Sequence, residues 1–308
     1  MRVLVVLNPR ATSTTPRTRE VITAALGSGH EVQTVVTQAR GHARDLAARA
    51  TKSGVGLVVV VGGDGTVNEV VNGLLTDGPA PSVPMMGLVP GGHANVFARA
   101  LGVPADPVEA TGALLEALRD RRTRSVGLGQ AADRWFVLNA GIGLDAAAVG
   151  AVERRRRAGD RASAGLYVRA AIRAYRRDVD RRHPMVSVAR PGVPVIDGLF
   201  MAIVANTAPW TFLGRRPVNP TPSASFDTGL DLFGLRRFDP LTTVHHVRQI
   251  LTRRSSPPAG RDVVSLHDQS VLLLTSAVPL EVQVDGDYLG RREQVTFRSV
   301  PHALRVVC

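Results

Sequence analysis

Residues 57–69 read Leu-Val-Val-Val-Val-Gly-Gly-Asp-Gly-Thr-Val-Asn-Glu, and this stretch decides the fold. The five apolar residues Leu57–Val61 predict a short strand that is buried on both faces, as in a parallel sheet. The glycines that follow remove side chains, so the backbone can pass close to a ligand. Thr66–Leu75 then shows helical spacing, and a helix N-terminus attracts anions such as phosphate. We therefore expect a strand–loop–helix unit of an α/β sheet, with an anion-binding loop at its turn.

The same alternation of strand and helix patterns continues on both sides of this stretch. Val3–Leu7 and Met85–Val89 are further apolar runs, and each ends at a turn signal. Such alternation predicts a doubly wound α/β layer. Beyond about residue 124 strand patterns dominate and indicate an antiparallel β-sandwich, with Trp135–Ala140 as one of its strands and Pro191–Asp197 as a connecting loop. We therefore expect two domains, residues 1–124 and residues 125–297.

Composition and charge exclude several classes of protein. The chain has 308 residues and a single cysteine, Cys308, which rules out a disulfide framework and a cysteine-rich zinc site. No apolar run is long enough to span a bilayer, and the opening residues fit a first strand better than a signal peptide. The net charge of +12 favours phosphate-bearing partners. We expect a soluble, cytoplasmic protein.

Two further motifs lie where predicted strands end. Pro90-Gly91-Gly92-His93-Ala94-Asn95 follows one strand and opens a helix, and Leu7-Asn8-Pro9-Arg10 follows the first strand. Strand ends of one parallel sheet meet at the same edge, so the three motifs together predict a nucleotide crevice.

These motifs resemble the diacylglycerol kinase catalytic family. The resemblance lies in Gly62–Thr66, Asn68-Glu69, Pro90–Gly92, Asn95 and Phe97–Arg99. It extends to Asn139–Asp145, Asp227–Asp231 and Val284–Asp287, in the order of the family. It implies an α/β nucleotide-binding domain followed by a β-sandwich lipid-binding domain, with residues 298–308 returning to the first domain.

The resemblance also implies an activity, the phosphorylation of a lipid hydroxyl, such as that of diacylglycerol, with ATP and Mg²⁺. Asp285 would be the general base, and Asp64 and Asp145 would organise Mg²⁺ and its waters. Asp227 would match a second metal position. The residues implied in ATP binding are Asn8, Pro9, Arg10, Thr37, Gly62, Gly63, Asp64, Gly65, Thr66, Asn68, Glu69, Gly91, Gly92, His93 and Asn95.

Several of these residues have an alternative interpretation. Asp285-Gly286 is also a good hairpin turn, Asp145 is a natural helix N-cap, and Asp227 could be an ordinary loop residue. Val96 stands where the family commonly has an aspartate, so a carboxylate is missing from the second loop. Two other functions therefore stay open: a kinase of a non-lipid hydroxyl, as in NAD kinases, and an inactive nucleotide- or lipid-binding protein.

The partners are the least determined feature. Glu153–Arg182 holds eleven arginines and four acidic residues, with apolar residues between them. This segment would either attract the protein to the anionic inner face of the membrane, as a peripheral protein, or form a solvated helix face. Nucleic acid is disfavoured because stacking residues are scarce. Trp210–Gly214 would either line the lipid entrance or fold onto its own core. A homodimer stays open.

Overall fold

The computed structural model describes residues 1–11, 15–157, 185–214, 216–237, 239–252 and 256–308. The chain forms two compact units. The first unit consists of Met1–Leu128 and Pro301–Cys308, and the second of Gly129–Val300.

The first unit is a parallel α/β sheet with its helices. Its elements are β1 (Arg2–Leu7), α1 (Pro16–Gly27), β2 (Glu31–Val36), α2 (His42–Lys52), β3 (Leu57–Gly62), α3 (Asp64–Leu74), β4 (Met85–Pro90), α4 (Val96–Ala100) and α5 (Pro107–Arg119). The strand order is β2-β1-β3-β4, with all pairs parallel. Two strands have residues in both units, namely β5 (Thr123–Ala131) and β16 (Asp287–Val307).

Strand β3 is buried along its whole length, as its valine run predicts. Val59 and Val61 join a core cluster that includes Ile22 of α1 and Leu114 of α5. Val58 and Val60 alternate with them and are also buried, so both faces of the strand are covered. Helices α2 and α3 contact each other, and they also contact β1 and β3 respectively. This unit therefore has the doubly wound architecture predicted from the sequence.

The second unit is rich in antiparallel strands. Its elements are β6 (Arg134–Phe136), β7 (Asn139–Ile142), α6 (Leu144–Arg157), β8 (Val186–Arg190), β9 (Val193–Leu199), β10 (Met201–Ala205), β11 (Thr211–Leu213), β12 (Arg216–Val218), β13 (Leu230–Leu235), α7 (Pro240–Leu251), β14 (Val263–Gln269) and β15 (Val271–Val284), with most of β16. The main strand order is β14-β13-β10-β7-β15-β16. The predicted fold class, an α/β domain followed by a β-rich domain, is confirmed.

Strand β15 joins two groups of strands. Its first half pairs with β8, and its last residues pair with β7. The register against β16 shifts between Thr275 and Leu280, around Pro279, which has no N–H for the ladder. The side chains of both groups meet in one buried cluster around Phe136 and Phe297, whose rings pack edge to face.

Two sequence-based element predictions are wrong. Trp135–Ala140 is not one strand, because the chain leaves the ladder at Val137 and Leu138 and forms β6 and β7 instead. Pro191–Asp197 is not a loop, because most of it forms β9. Among the described strands β9 pairs with β8 alone, and such an edge position tolerates the missing N–H of Pro194.

Among the described residues, no helix combines the length and the apolar character that crossing a bilayer requires.

His246 of α7 is a buried residue with an unusual environment. Neither of its ring nitrogens has a hydrogen-bond partner in the described part of the chain. Burial lowers the pKa of His246 from its ordinary 6.5, and His245 lowers it further, against smaller opposing effects of Asp262 and Asp239. Because the fold disfavours the protonated ring, the free energy of unfolding should fall as the pH drops below about 6.5.

We expect His246→Leu to raise the free energy of unfolding by about 1 kcal/mol at neutral pH, since two unpaired polar atoms are removed from the interior. The advantage over wild type should grow between about pH 7.5 and pH 5.5, as measured by urea unfolding. Val244, an exposed and non-titrating residue of the same helix, provides the control, since Val244→Ala should leave the wild-type pH dependence in place. An equal pH dependence in His246→Leu and wild type would contradict the assignment.

Candidate active site

The two glycine loops of the first unit are in direct backbone contact. The Gly91 N–H donates to the Gly62 carbonyl at 2.8 Å, continuing the pairing of β3 with β4. A Cβ atom on Gly92 would lie 2.8 Å from the Gly63 Cα, and one on Gly91 would lie 3.2 Å from the Gly62 Cα. Side chains at these positions would force the loops apart. Close packing within the protein therefore explains the absence of a side chain at four of the glycines predicted to bind ligand, namely Gly62, Gly63, Gly91 and Gly92.

At Gly65, packing does not explain the absence of a side chain. No atom lies within 4 Å of the position that its Cβ would occupy, and its φ is not in the left-handed region. It is exposed in the first turn of α3, where N–H groups have no partner within the helix. Its missing side chain leaves this turn open to a ligand from solvent. An anion could therefore reach the start of α3 at this point.

Asp64 connects the first glycine loop to the helix that follows the second. Its two carboxylate oxygens accept the N–H groups of Val96 and Phe97, each at 3.1 Å, at the start of α4. Burial raises the pKa of Asp64, and the two backbone hydrogen bonds and the Arg99 charge only partly offset this. Burial at this position therefore disfavours the ionised carboxylate relative to the protonated one.

The side chain of Asn95 closes the second loop. Its Oδ1 accepts the Gly92 N–H at 2.9 Å, and its Nδ2 donates to the Gly92 carbonyl at 2.8 Å. Asn95 has a φ of 46°, a conformation that asparagine tolerates better than most residues. His93 lies exposed at the tip of this loop, and the Val96 side chain is buried. The second loop is therefore rigid, and position 96 offers no polar group at its surface.

The ends of β1 and β2 lie at the same edge of the sheet. Asn8 donates from Nδ2 to the Thr66 Oγ1 at 2.9 Å, which ties the end of β1 to the first turn of α3. Its Oδ1 accepts the Arg10 N–H at 2.9 Å, and Pro9 and Arg10 are exposed. The Thr37 N–H donates to the Leu7 carbonyl at 2.8 Å. The structure thus gathers the predicted residues of all four strand ends along one edge.

Asn68 and Glu69 face the interior of the unit instead. The Glu69 carboxylate accepts the N–H groups of Gly41 at 2.9 Å and Ala43 at 3.2 Å, so it caps the start of α2. Asn68 is buried, and its Oδ1 accepts a hydrogen bond from Asn72 at 3.2 Å. These contacts give both residues a structural function that needs no ligand.

In the second unit, Asp285 forms a hairpin turn and also anchors another segment. Asp285 and Gly286 join β15 to β16 with φ values of 48° and 80°, as a two-residue type I′ turn requires. The carboxylate accepts the N–H groups of Val137 at 2.7 Å, Leu138 at 2.9 Å and Asn139 at 3.0 Å. The turn predicted from the sequence is therefore present, and the carboxylate is held by three backbone donors.

A buried polar network supports this turn. Asn139 Oδ1 accepts hydrogen bonds from Trp210 Nε1 and from Gln283 Nε2, both at 3.1 Å. Gln283 Oε1 in turn accepts the Gly286 N–H at 2.9 Å. Trp210 also packs against a core cluster, so this part of the Trp210–Gly214 stretch is folded onto its own unit. Sequence reasoning missed Gln283 and the anchoring role of Trp210, because a lone polar residue in a strand gives no signal for a partner.

The predicted metal positions are not assembled in the described residues. No group of three His, Cys, Asp or Glu side chains suited to a metal ion occurs in that part of the chain. Asp227 is exposed on a loop, and the side chain of Asp145 lies outside the description. Asp231 closes the Asp227–Asp231 segment but was not among the predicted metal positions; it is buried 2.7 Å from the His267 Nδ1, and burial raises its pKa. Of the predicted basic segment, only residues 153–157 lie in the described chain, as the end of α6.

Part of this chain is similar in sequence to known proteins. Residues 2–131 match the family described as the diacylglycerol kinase catalytic domain. A protein of Chromohalobacter salexigens named "Probable lipid kinase YegS-like" is 37% identical over 131 residues, which are 42% of this chain and 40% of that protein. A diacylglycerol kinase of Bacillus subtilis is 36% identical over 117 residues, 38% of this chain and 36% of that protein. The matches thus cover about two fifths of the relatives' length.

The likeness in fold extends further than the likeness in sequence. A crystal structure of a diacylglycerol kinase from Bacillus anthracis superimposes with a TM-score of 0.70 at 19% identity, covering 99% of this chain and 96% of that one. At such an identity the agreement concerns the fold. The family match covers residues 2–131, which include both glycine loops.

Proposed function

We propose that this protein is an ATP- and Mg²⁺-dependent lipid kinase that phosphorylates a hydroxyl group of diacylglycerol or a related lipid. The observation that carries the proposal is the edge of the parallel sheet, where two glycine loops pack together and Gly65 is the one exposed glycine among Gly62, Gly63, Gly65, Gly91 and Gly92. The family of residues 2–131 supports the kinase chemistry. The curated relatives named above support the lipid as acceptor. We place the protein in the cytoplasm, at the inner face of the membrane.

The start of α3 suits the phosphates of ATP. The first N–H groups of the helix and its positive dipole end favour an anion, and Gly65 leaves the approach clear. Thr66 is held by Asn8, so the first turn of the helix is fixed before a ligand arrives. Arg10 is exposed at the same edge of the sheet and can add positive charge. This is the electrostatic positioning that phosphoryl transfer requires.

The residues present fit Mg²⁺ that is carried mainly by the nucleotide. Mg²⁺ in kinase sites commonly keeps several waters and is held by phosphates with one or two carboxylates. Asp64 would be that carboxylate, since each of its oxygens has spare lone pairs beyond its single backbone hydrogen bond. When bound, Mg²⁺ would neutralise charge on the phosphates. Asp145 and Asp227 remain proposals for further metal contacts.

We assign the base to Asp285. The lipid hydroxyl oxygen forms a bond to the γ-phosphorus while the bond from the γ-phosphorus to the β-phosphate oxygen breaks, and ADP leaves. The hydroxyl proton passes to the Asp285 carboxylate. Three backbone N–H groups fix the orientation of this carboxylate, as a positioned general base requires.

The proposal is tested by transfer of the γ-phosphate of ATP to a panel of lipids in mixed micelles with Mg²⁺. Diacylglycerol, monoacylglycerol and a sphingoid base test the lipid class, and NAD and glycerol test non-lipid hydroxyls. Phosphorylation of a lipid and not of the soluble acceptors is the expected result. Transfer to NAD would contradict the proposal in favour of a kinase of a non-lipid hydroxyl. ATP binding without transfer to any acceptor would contradict it in favour of an inactive binding protein.

Gly65 provides a sharper test of the nucleotide site. We expect Gly65→Ala to raise the KM for ATP at least about tenfold, since a methyl group would weaken charge-assisted hydrogen bonds from the helix start to phosphate. The free energy of unfolding should stay equal or rise by up to about 1 kcal/mol, because alanine favours the helix. Activity assays and urea unfolding measure both quantities.

Gly112→Ala is the matched control. Gly112 is likewise exposed in a helix, α5, and has no atom within 4 Å of its would-be Cβ. This variant should gain similar stability and keep the wild-type KM. An unchanged KM in Gly65→Ala would remove the start of α3 as the phosphate site.

A further inference from the structure

Helix α7 of the second unit carries an apolar stripe on its outer face. Leu241, Val244 and Val247 recur every three residues, and they are 84%, 68% and 48% exposed. The other face of the helix packs against its own unit through His246 and Ile250. The stripe is therefore the side of α7 that faces away from the core.

This stripe differs from ordinary surface exposure. Each of the other helices in the described chain has at most one large apolar side chain among the exposed residues, such as Val21 of α1 and Val108 of α5. Single exposed apolar residues need no explanation, whereas aligned ones indicate an interaction surface. On α7, three aligned aliphatic side chains are exposed to solvent, as far as the described residues show.

Arginines lie at both ends of the helix that carries the stripe. Arg237 lies just before α7 and pairs with Asp239 (Nε to Oδ2, 2.8 Å), so among the described residues of the helix and its start the uncompensated positive charge is that of Arg248 in the last turn; both arginines are exposed. Arg216 of the β11–β12 hairpin donates from Nε to the Leu251 carbonyl at 2.8 Å, which places a third guanidinium at the C-terminal end. Leu213, which is exposed, pairs with Arg216 across the hairpin. Apolar and cationic groups thus share this face.

We propose that α7 is the surface by which the protein lies on an anionic lipid bilayer. The stripe of Leu241, Val244 and Val247 would enter the interfacial region, while Arg216 and Arg248 at the C-terminal end of the helix would contact lipid phosphates. The inference rests on the proposed function, because a kinase of a bilayer lipid must bring its site to a substrate that stays in the membrane. It concerns different residues from those of the arginine-rich segment Glu153–Arg182.

A second copy of the chain is the weaker candidate for this surface. A stable protein interface buries about 800 Å² on each partner, which is more than three aliphatic side chains offer. Contact between two such faces would also bring their arginines together. A bilayer with anionic headgroups complements both the apolar stripe and the flanking charge.

The test is co-sedimentation of the full chain with vesicles, without ATP. The vesicles are phosphatidylcholine alone or with about 30 mol% phosphatidylglycerol. The stripe variant is Leu241→Gln/Val244→Gln/Val247→Gln, and the matched control is Val21→Gln/Val108→Gln, whose positions are 46% and 54% exposed. We expect the stripe variant to lose at least about tenfold in binding to the anionic vesicles, and the control to bind like wild type.

A second variant detects insertion directly. Leu241→Trp should show fluorescence quenching by lipids brominated near the headgroup, in excess of the wild-type signal from Trp135 and Trp210. Equal vesicle binding of the stripe variant and wild type, or no added quenching, would overturn the proposal. Loss of a wild-type dimer in the stripe variant, with vesicle binding unchanged, would assign the face to a second copy instead.

The outcomes separate this proposal from the proposed function. Binding is measured without turnover, so stripe-dependent binding supports the surface even when no lipid is phosphorylated. Lipid phosphorylation together with stripe-independent binding leaves the kinase in place and removes the surface. Turnover of a short-chain, monomeric diacylglycerol should be equal in wild type and the stripe variant.

Discussion

Asp285→Asn should lower kcat by about 10²- to 10⁴-fold, the range that a general base contributes. It should also lower the free energy of unfolding by about 1.5–3 kcal/mol. The second effect follows from the three backbone N–H groups that the carboxylate accepts. An amide has one oxygen, and its NH₂ group would face a donor. The Asn-Gly sequence itself suits the type I′ turn, so the turn should persist.

Because both effects are expected in one variant, a comparison is needed to separate them. Gly286→Ala disturbs the same turn without touching the carboxylate, since its φ of 80° is strained for alanine and its would-be Cβ meets no atom within 4 Å. It should cost about 1–2 kcal/mol in stability and little in kcat. Single-turnover assays on fully folded protein compare the two. Equal kcat values for Asp285→Asn and Gly286→Ala would show that Asp285 has a structural role and does not act as the base.

The local pattern of the first unit was strong enough to predict its architecture. The valine run of β3 and the periodic helix after it indicate a buried parallel strand, and the structure confirms both. The reason for the glycines was less visible. Gly62 and Gly63 pack on Gly91 and Gly92 of a loop far along the chain, and such a tertiary contact leaves no local pattern. Gly65 has no such packing contact, so its role in binding a ligand stays a prediction.

The second unit shows how tertiary hydrogen bonds override strand propensity. Trp135–Ala140 has an unbroken apolar pattern, but the N–H groups of Val137 and Leu138 bond to Asp285 instead of a neighbouring strand. The break between β6 and β7 is therefore set by a side chain almost 150 residues later. Similarly, the periodicity of Pro240–Leu251 predicts the helix α7, but it does not indicate which of the apolar residues of this helix remain exposed to solvent.

Asp64→Asn should have the opposite effect on stability from Asp285→Asn. We expect kcat/KM to fall at least about a hundredfold, since the carboxylate that supports Mg²⁺ and its phosphates is lost. The amide NH₂ would face one of the two backbone donors, but we expect the relief of the buried charge to outweigh that loss, so the free energy of unfolding at neutral pH should rise. The physical reason is that burial raises the pKa of Asp64, so the ionised group costs more in the fold than its hydrogen bonds to Val96 and Phe97 return.

The stability difference between Asp64→Asn and wild type should depend on pH. A carboxyl group with a raised pKa destabilises the fold at neutral pH, and protonation relieves that cost as the pH falls through the raised value. The stability gain of Asp64→Asn over wild type should thus be largest near pH 7 and shrink in acid, as followed by urea unfolding.

Asp106→Asn is the control, because Asp106 also accepts two backbone N–H groups, at the start of α5. Asparagine is an equally good N-cap there, so both activity and stability should stay near wild type. A loss of stability in Asp64→Asn at neutral pH would show that the residue is retained for capping α4. A gain in stability with loss of activity would instead mean that the fold tolerates a costly charge because the site requires it.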